Sequence, residues 1–215
     1  MNYIESKLKE KSELHSEGEI YYRQWMLAKQ YLPQLLNTIS HVFPHYSLHD
    51  ASHSETILNN IVRIVGKQTI DKLSIVDLWL LLAAAYYHDC GMVLFAEDKE
   101  RILELDAGFV NYVEDKQKDF SSAMKEYADL LTVKEGKLYY SDMQLTVKSS
   151  EAVRFLMADY VRPKHASRSV DLIGATSSLH LPGSPIPERI IRLLGDICET
   201  HTKPCYAVLE LPRVE

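Results

Sequence analysis

The chain of 215 residues is 46% apolar and 25% charged, which is enough apolar sequence for one full core with a small appendage. The formal net charge of −6 argues against non-specific binding to nucleic acid, which requires a basic face, although a local basic cluster could hold phosphate. The three cysteines (Cys90, Cys198 and Cys205) form no CxxC pair, which excludes a disulfide framework and a cysteine-type zinc site and favours a reducing cytoplasm.

The N-terminal part of the chain has the pattern of charged helices. Its first residues, MNYIESKLKEKSELHSEGE, contain no apolar stretch of the kind found in signal peptides. Apolar residues at helical spacing predict a helix over 19–42 that is interrupted at Pro33 and closed by Pro44. We interpret residues 1–42 as an N-terminal helical extension packed on the core.

Two further helices are predicted after the loop HYSLHDAS. The first carries a stripe of apolar residues that we expect to be buried: Ile57, Ile61, Ile64 and Val65. The second begins with a cap at Ser74, and its apolar run Leu78–Tyr87 is too short to cross a membrane. This run therefore predicts a buried core helix, and it ends in the pair His88-Asp89.

The second half of the chain is also predicted to be mainly helical. Residues 97–135 are polar and rich in both charge signs, which indicates one or two surface-facing helices. The stretch 133–142 is typical of a turn or short hairpin. A helix over about 145–160, another beginning near Pro163 and a last one over Glu188–Thr200 complete the prediction.

Histidines and one carboxylate stand at spacings that suit a metal site. His49 and His53 are four residues apart, so on a helix they would share a face. His88 and Asp89 are adjacent, and at a helix end the backbone can turn both towards one ion. Such N and O ligands from successive helices bind a divalent metal, which can generate a hydroxide nucleophile near neutral pH.

Two later histidines have neighbours that extend this pattern. His165 lies in RPKHASRS and His201 in ICETH. Together with His53, His88 and Asp89 they give five metal-capable side chains from four separated segments, which can build one or two metal sites.

In this order and combination, the residues resemble the HD-domain superfamily of metal-dependent phosphohydrolases, and in particular bacterial HD domains of the HD-CE type. The likeness runs from about Phe43 to His201. It implies an all-α HD-domain helical bundle over residues 43–215 with a charged helical insert at about 97–145. Such domains often lie N-terminal to a GHKL-type ATPase region, which implies a C-terminal ATPase domain in a longer parent protein.

The resemblance also implies roles for single residues. His53, His88 and Asp89 would bind a first metal, and His165 and His201 a second. The predicted catalytic residues are Asp89, as a metal ligand, and His49, as the general acid that protonates the leaving oxygen.

The basic residues around His165 are candidates for neutralising phosphate. They are Arg162, Lys164 and Arg168. Arginine is favoured for this role because its planar guanidinium group can donate two hydrogen bonds to one phosphate. The metal would be one or two divalent ions, and His and Asp ligands suit Mn, Fe, Mg, Co, Ni or Zn.

One feature departs from the family pattern. HD domains usually supply a further aspartate from a later helix, whereas this chain has no Asp after Asp196. Asp196 lies five residues before His201 and would face differently on a regular helix. Either the chain is a truncated fragment of a longer protein or its site is incomplete.

Three functions therefore compete. The first is hydrolysis of a nucleotide or related phosphoester through a metal-bound hydroxide. The second is a non-catalytic HD module that senses a nucleotide or metal and regulates an attached domain. The third is a di-iron HD oxygenase. In each case we expect a cytoplasmic protein that does not bind a membrane, and for which nucleic acid is a disfavoured but not an excluded partner.

Overall fold

The computed structural model describes residues 1–43, 51–140, 146–175 and 186–204. Within these ranges the regular structure is helical except for one small hairpin, which confirms the predicted all-α fold. The helices are α1 (Tyr3–Leu14), α2 (Ser16–Val42), α3 (Ala51–Val65), α4 (Lys67–Ile70), α5 (Ile75–Tyr87), α6 (Ala96–Glu104), α7 (Ala107–Lys118), α8 (Lys125–Ala128), α9 (Thr146–Val161), α10 (His165–Ala175) and α11 (Glu188–Thr200). The strands are β1 (Leu131–Lys134) and β2 (Lys137–Tyr140).

Polar side chains at helix starts explain several of these boundaries. Asn2 caps α1, because its side-chain oxygen accepts a hydrogen bond from the amide of Glu5 at 2.9 Å. Ser74 caps α5 as predicted, and it forms a capping box with Asp77. These bonds satisfy amide groups that the first turn of a helix leaves without a partner.

The chain divides into two compact units. The first unit comprises Met1–Ser40, the described residues 51–93, and the chain from His165 onwards. In it α1 packs on α3 and α5, α11 packs on α5, and α10 packs on α11. Its core contains the completely buried side chains of Ile4, Leu8, Trp25, Leu32, Leu58, Leu78, Leu82 and Leu194.

The second unit comprises Leu94–Lys164 and a short stretch that begins at His41. Here α7 packs on α8 and α9, around the fully buried side chains of Phe109, Val113 and Leu156. Tyr112 and Tyr160 lie beside Phe109 in a cluster of aromatic rings. Residues 97–135 were predicted as surface-facing helices, but α7 and α8 of this region share a core with α9.

The predicted break at Pro33 is wrong, because α2 continues through this residue to Val42. Proline inside a helix removes one hydrogen bond and costs about 3 kcal/mol. Leu32, Leu36 and Ile39 are all buried on this part of the helix. Each fully buried side chain of this size contributes about 2 kcal/mol, so their burial outweighs the loss.

The predicted apolar stripe on α3 is only partly correct. The residues of α3 that are buried are Ser54 and Leu58, whereas Ile64 is 78% exposed and Val65 is 41% exposed. Ile64 comes six residues after Leu58 and therefore points about 240° around the helix axis from it. The face that α3 buries is thus set by its contact with α5 and not by the apolar periodicity alone.

The region 97–135 contains three helices, α6, α7 and α8, where one or two were predicted. The split between α6 and α7 occurs at Asp106, whose side chain caps α7 by accepting from the amides of Gly108 and Phe109. The predicted hairpin is confirmed, with β1 and β2 paired antiparallel and Lys134 opposite Lys137.

One described segment, Ile75–Glu104, meets the length and composition criteria for crossing a membrane. The most apolar part of this segment is 78% buried inside the protein. That burial is typical of a core helix of a soluble protein, as predicted for Leu78–Tyr87.

Candidate metal centre

The centre is built on the turn that follows α5. The helix ends at Tyr87, and a short 3-10 helix covers Cys90–Met92. His88 and Asp89 lie between these two helices. We call the segment His88–Met92 the HD turn. Asp89 has φ −99° and ψ 0°, outside regular helix, so the chain changes direction here and both side chains reach the same region.

The carboxylate of Asp89 lies among four imidazoles. Its Oδ2 is 2.9 Å from Nε2 of His88 and 3.7 Å from Nε2 of His53. Its Oδ1 is 3.6 Å from Nε2 of His165 and 3.9 Å from Nε2 of His201. Asp89 is only 4% exposed, so these histidines dominate its surroundings.

These five residues form two groups that could each hold a metal ion. His53, His88 and Asp89 form the first half-site, and Asp89, His165 and His201 form the second. Within each half-site the ligand atoms lie within 4.8 Å of one another. One carboxylate therefore belongs to both half-sites, with a different oxygen towards each.

Four separate elements bring these side chains together. His53 lies in the first turn of α3, and His88 and Asp89 follow the end of α5. His165 is the first residue of α10, and His201 is the C-cap of α11. All four elements belong to the first unit, and the packing of α3 and α11 on α5 sets their spacing.

The hydrogen bond of His201 to its own helix fixes the chemical form of its ring. Nδ1 of His201 bonds to the backbone carbonyl of Cys198. A carbonyl only accepts hydrogen bonds, so Nδ1 carries the proton and Nε2 of the neutral ring keeps its lone pair. That Nε2 lies 2.8 Å from Nε2 of His165 and near Asp89, as a metal ligand would.

Burial favours the same neutral form of His201. Desolvation lowers the pKa of His201 below its usual value, and the nearby His88 and His165 lower it further, against the opposing effects of Cys198 and Asp89. A neutral imidazole is the form that binds a metal ion.

The residues present fit a divalent metal. The donors are four imidazoles and a carboxylate, which suit transition-metal dications. In addition, Nδ1 of His88 is buried and has no hydrogen-bond partner in the described part of the chain. A buried polar atom without a partner costs free energy, so such an atom in a ligand cluster points to a missing group.

Helix α10 holds the HD turn through a set of hydrogen bonds that we call the clasp. The hydroxyl of Ser169 donates to the carbonyl of His88 at 2.7 Å and accepts from the amide of Gly91 at 2.8 Å. The guanidinium of Arg168 donates from Nε to the carbonyl of Gly91 at 2.8 Å and from Nη2 to that of Val93 at 3.0 Å. Ser169 has no exposed surface.

Gly91 allows this close approach. A Cβ atom at this position would overlap the carbonyl oxygen of His165 and lie 2.6 Å from the amide nitrogen of Ser169. Both neighbours are backbone atoms of α10, so they cannot move without moving the helix that carries His165.

The two described cysteines do not contribute a thiolate to the centre. Cys90 and Cys198 are buried and free. Desolvation raises the pKa of both thiols, so both stay protonated at neutral pH and are poor metal ligands.

Other predicted site residues lie outside this cluster. His49 is outside the described residues. Arg162 and Lys164 are exposed and belong to the second unit, where Nζ of Lys164 lies 3.5 Å from the ring centre of Tyr160. Asp196 on α11 is in neither half-site among the described residues. The assignment of His49, Arg162 and Lys164 to catalysis or phosphate binding stays a prediction.

The sequence motifs HDCGM and RPKHASRS contain Gly91 and Ser169, but no role was predicted for either residue, and Arg168 was interpreted only as a phosphate ligand. A signal was present, because Arg168 and Ser169 follow His165 by three and four residues. On a helix this spacing puts all three side chains on one face. The partner of that face, the HD turn, lies far away in the sequence and carries no pattern that identifies it.

Comparison with known proteins gives one match. The family model HD-CE matches residues 43–205. No curated protein and no solved structure matches the chain.

Proposed function

We propose a function on the premise that this chain belongs to the HD-CE family, whose model covers residues 43–205. The proposed function is metal-dependent hydrolysis of a nucleotide or a related phosphoester. It agrees with the HD-type domain and with a His and Asp cluster that could hold a metal ion.

The shared carboxylate of Asp89 is the observation that carries the proposal. Its two oxygens lie towards two different pairs of histidines, each within 4 Å. Asp89 could therefore help to hold two metal ions, which would together supply charge stabilisation to one phosphoryl group, as in two-metal phosphatases and nucleases. The same arrangement also accepts a single ion in either half-site.

The charge of the ligand set favours an anionic substrate. The two half-sites contain four imidazoles, which bind metal in the neutral form, and one carboxylate. Among the described residues this single negative charge cannot balance two divalent ions, so a centre loaded with two ions would be cationic. A phosphate group would supply the missing negative charge.

The chain's own residues divide the work as follows. His53, His88 and Oδ2 of Asp89 would hold one ion, and His165, His201 and Oδ1 of Asp89 the other. When bound, the ions supply Lewis acidity at the phosphoryl oxygens and make water acidic enough to ionise near neutral pH. We assign His49 the protonation of the leaving oxygen.

Metal analysis of a matched pair of variants tests the proposal. We expect the purified wild-type chain, incubated with Mn²⁺ and desalted, to retain one or two ions. Asp89→Asn should lose both half-sites, because it removes the only negative charge of the described ligand set while keeping the side-chain shape. Asp196→Asn should retain the wild-type metal content, because Asp196 lies outside both half-sites. A wild-type chain without metal, or full metal content in Asp89→Asn, would refute the proposal.

Hydrolysis assays separate the competing functions. Release of phosphate or nitrophenol from simple phosphomonoesters and phosphodiesters, lost in Asp89→Asn, supports the hydrolase. Metal binding without any hydrolysis supports the regulatory module, which the single carboxylate of the described ligand set favours. Iron content with a visible absorption band and no hydrolysis supports the di-iron oxygenase.

Three further expectations rest on the family resemblance alone and are therefore proposals. They are a nucleotide as the substrate, a cytoplasmic location, and a GHKL-type ATPase region in a longer parent protein. Co-purification of the full-length parent with its ATPase activity would test the last of these.

A further inference from the structure

We propose that Ser169 and Arg168 are positioning residues of the metal centre, which hold the HD turn in the shape that lets His88 and Asp89 bind metal. This inference rests on the proposed function, because it assigns the clasp a role in metal binding. It gives Arg168 a structural task in place of the phosphate binding predicted from the sequence.

Side chains of α10 supply hydrogen bonds to the backbone of the HD turn. A helix leaves its last carbonyl groups without partners inside the helix, and a sharp turn after it exposes further groups. Here the carbonyls of His88, Gly91 and Val93 are bonded by side chains of α10. Because Asp89 is buried, water is a poor alternative partner for this turn, and loss of the bonds would let the turn relax.

Each side chain of the clasp bonds two separate backbone groups. Ser169 both accepts from Gly91 and donates to His88, so one hydroxyl fixes the two peptide groups that flank Asp89 and Cys90. Arg168 bonds two carbonyls with two nitrogens of one planar group. A lysine has a single ammonium on a flexible stem and cannot reproduce that fork.

The clasp also connects the two half-sites. Ser169 lies one helical turn after His165, on the same face of α10. The helix that supplies a ligand to the second half-site therefore also holds the backbone of His88 in the first. A change in the clasp should weaken metal binding at residues that the altered side chain does not touch.

Titration with Co²⁺ alone tests this proposal, because Co²⁺ reports its own coordination through visible absorption. The variants are Ser169→Ala, Arg168→Lys and, as a matched control, Ser149→Ala. Ser149 is equally buried, but its hydroxyl has no hydrogen-bond partner within the described ranges. Circular dichroism verifies that each variant is folded.

We expect Ser169→Ala and Arg168→Lys to bind Co²⁺ about 10- to 100-fold more weakly than the wild-type chain does, which is the usual effect of removing a group that orients metal ligands. Their Co²⁺ spectra should differ from that of the wild type, which a general loss of stability would not cause in a folded variant. Ser149→Ala should match the wild type in both measurements. If Ser169→Ala does not fold, Arg168→Lys decides the question.

Three results would overturn the inference in distinguishable ways. Wild-type affinity and spectrum in both clasp variants would show that the clasp does not position the ligands. Unchanged Co²⁺ binding in Arg168→Lys with weaker binding of inorganic phosphate would return Arg168 to phosphate recognition. A wild-type chain that binds no Co²⁺ would refute the proposed function, and this inference with it.

Discussion

Among the described glycines, Gly91 is the one least able to accept a side chain. Gly91→Ala places a Cβ atom against backbone atoms of His165 and Ser169, neither of which can rotate away. We expect this variant to lose about 3 kcal/mol of unfolding free energy, at the upper end of the usual cost of overpacking. Urea denaturation measures the loss, and metal binding should fall with it because α10 is displaced.

Gly174 provides the control for this substitution. It lies on the same helix, and a Cβ atom there would meet nothing within 4 Å. Gly174→Ala should therefore stabilise the chain by about 0.5–1 kcal/mol through the better helix propensity of alanine. Equal destabilisation of the two variants would contradict the steric argument for Gly91.

The pair Glu5 and Lys29 is a second feature at this scale. Glu5 is 1% exposed, and Nζ of Lys29 lies 2.9 and 2.7 Å from its two carboxylate oxygens. Lys29→Met leaves a buried carboxylate without its cation and should cost about 3–5 kcal/mol of unfolding free energy. Thermal or urea unfolding gives the measurement.

Two comparisons separate this burial effect from ordinary surface charge. Lys9→Met removes an exposed ion pair with Glu13 and should change stability by less than about 1 kcal/mol. The double variant Glu5→Gln, Lys29→Met removes the buried charge as well and should recover part of the loss. If the double variant recovers no unfolding free energy, Lys29 stabilises the protein through the packing of its aliphatic side-chain carbons.

The identity of the metal-capable residues was accessible from the sequence, and the structure brings five of the predicted ones together. This was possible because histidine and aspartate at the ends of apolar helices are unusual unless they have partners. Ser169 and Gly91 were not accessible in this way. Their importance arises only from the contact between α10 and the HD turn, and serine and glycine are common residues in loops and helices alike.

Among the elements, the hairpin of β1 and β2 has a turn that its sequence does not suit well. Its two central residues, Glu135 and Gly136, both have positive φ, 51° and 70°. Glycine adopts this conformation freely, whereas glutamate does so at a cost and asparagine is the preferred residue. Glu135→Asn should stabilise the hairpin by about 0.5–1 kcal/mol, measured by urea unfolding.

Gly136→Ala tests the same turn in the opposite direction. Alanine at a φ of 70° is strained even though a Cβ atom there meets nothing within 4 Å. We expect a loss of about 1 kcal/mol. A stabilising effect of alanine at this position would disprove the turn conformation.

Helix boundaries were predictable where a side chain acts locally and unpredictable where tertiary packing decides. Ser74 caps α5 through its own neighbour Asp77, and the prediction there was correct. Pro33 stays inside α2 because buried residues of that helix outweigh the lost hydrogen bond, and the sequence does not reveal how deeply they are buried. The exposed Ile64 of α3 illustrates the same point.

At the scale of the whole molecule, the residues of both half-sites lie in the first unit. We therefore expect a bound metal ion to raise the unfolding free energy of that unit and not that of the second. Both tryptophans of the chain, Trp25 and Trp79, lie in the first unit, so tryptophan fluorescence reports the unfolding of that unit. A free Mn²⁺ concentration of about 100 times Kd should stabilise the first unit by about 2.7 kcal/mol. The fluorescence transition in urea should move to higher concentration accordingly.

The second unit provides an internal reference for this measurement. It contains α7, α8 and α9, so far-UV circular dichroism also detects its unfolding. That part of the transition should not move with Mn²⁺, and in Asp89→Asn neither part should move. A shift of both parts together would mean that the two units unfold as one.

If the clasp positions the metal ligands as proposed, it also sets when, during synthesis, the chain could first retain a metal ion. The ribosome releases the N-terminus first, so His53, His88 and Asp89 emerge long before Ser169. A nascent chain that stops before α10 has every ligand of the first half-site but lacks the side chains that bond the HD turn. Firm capture of metal by the first half-site would therefore wait until α10 has emerged and packed on the HD turn.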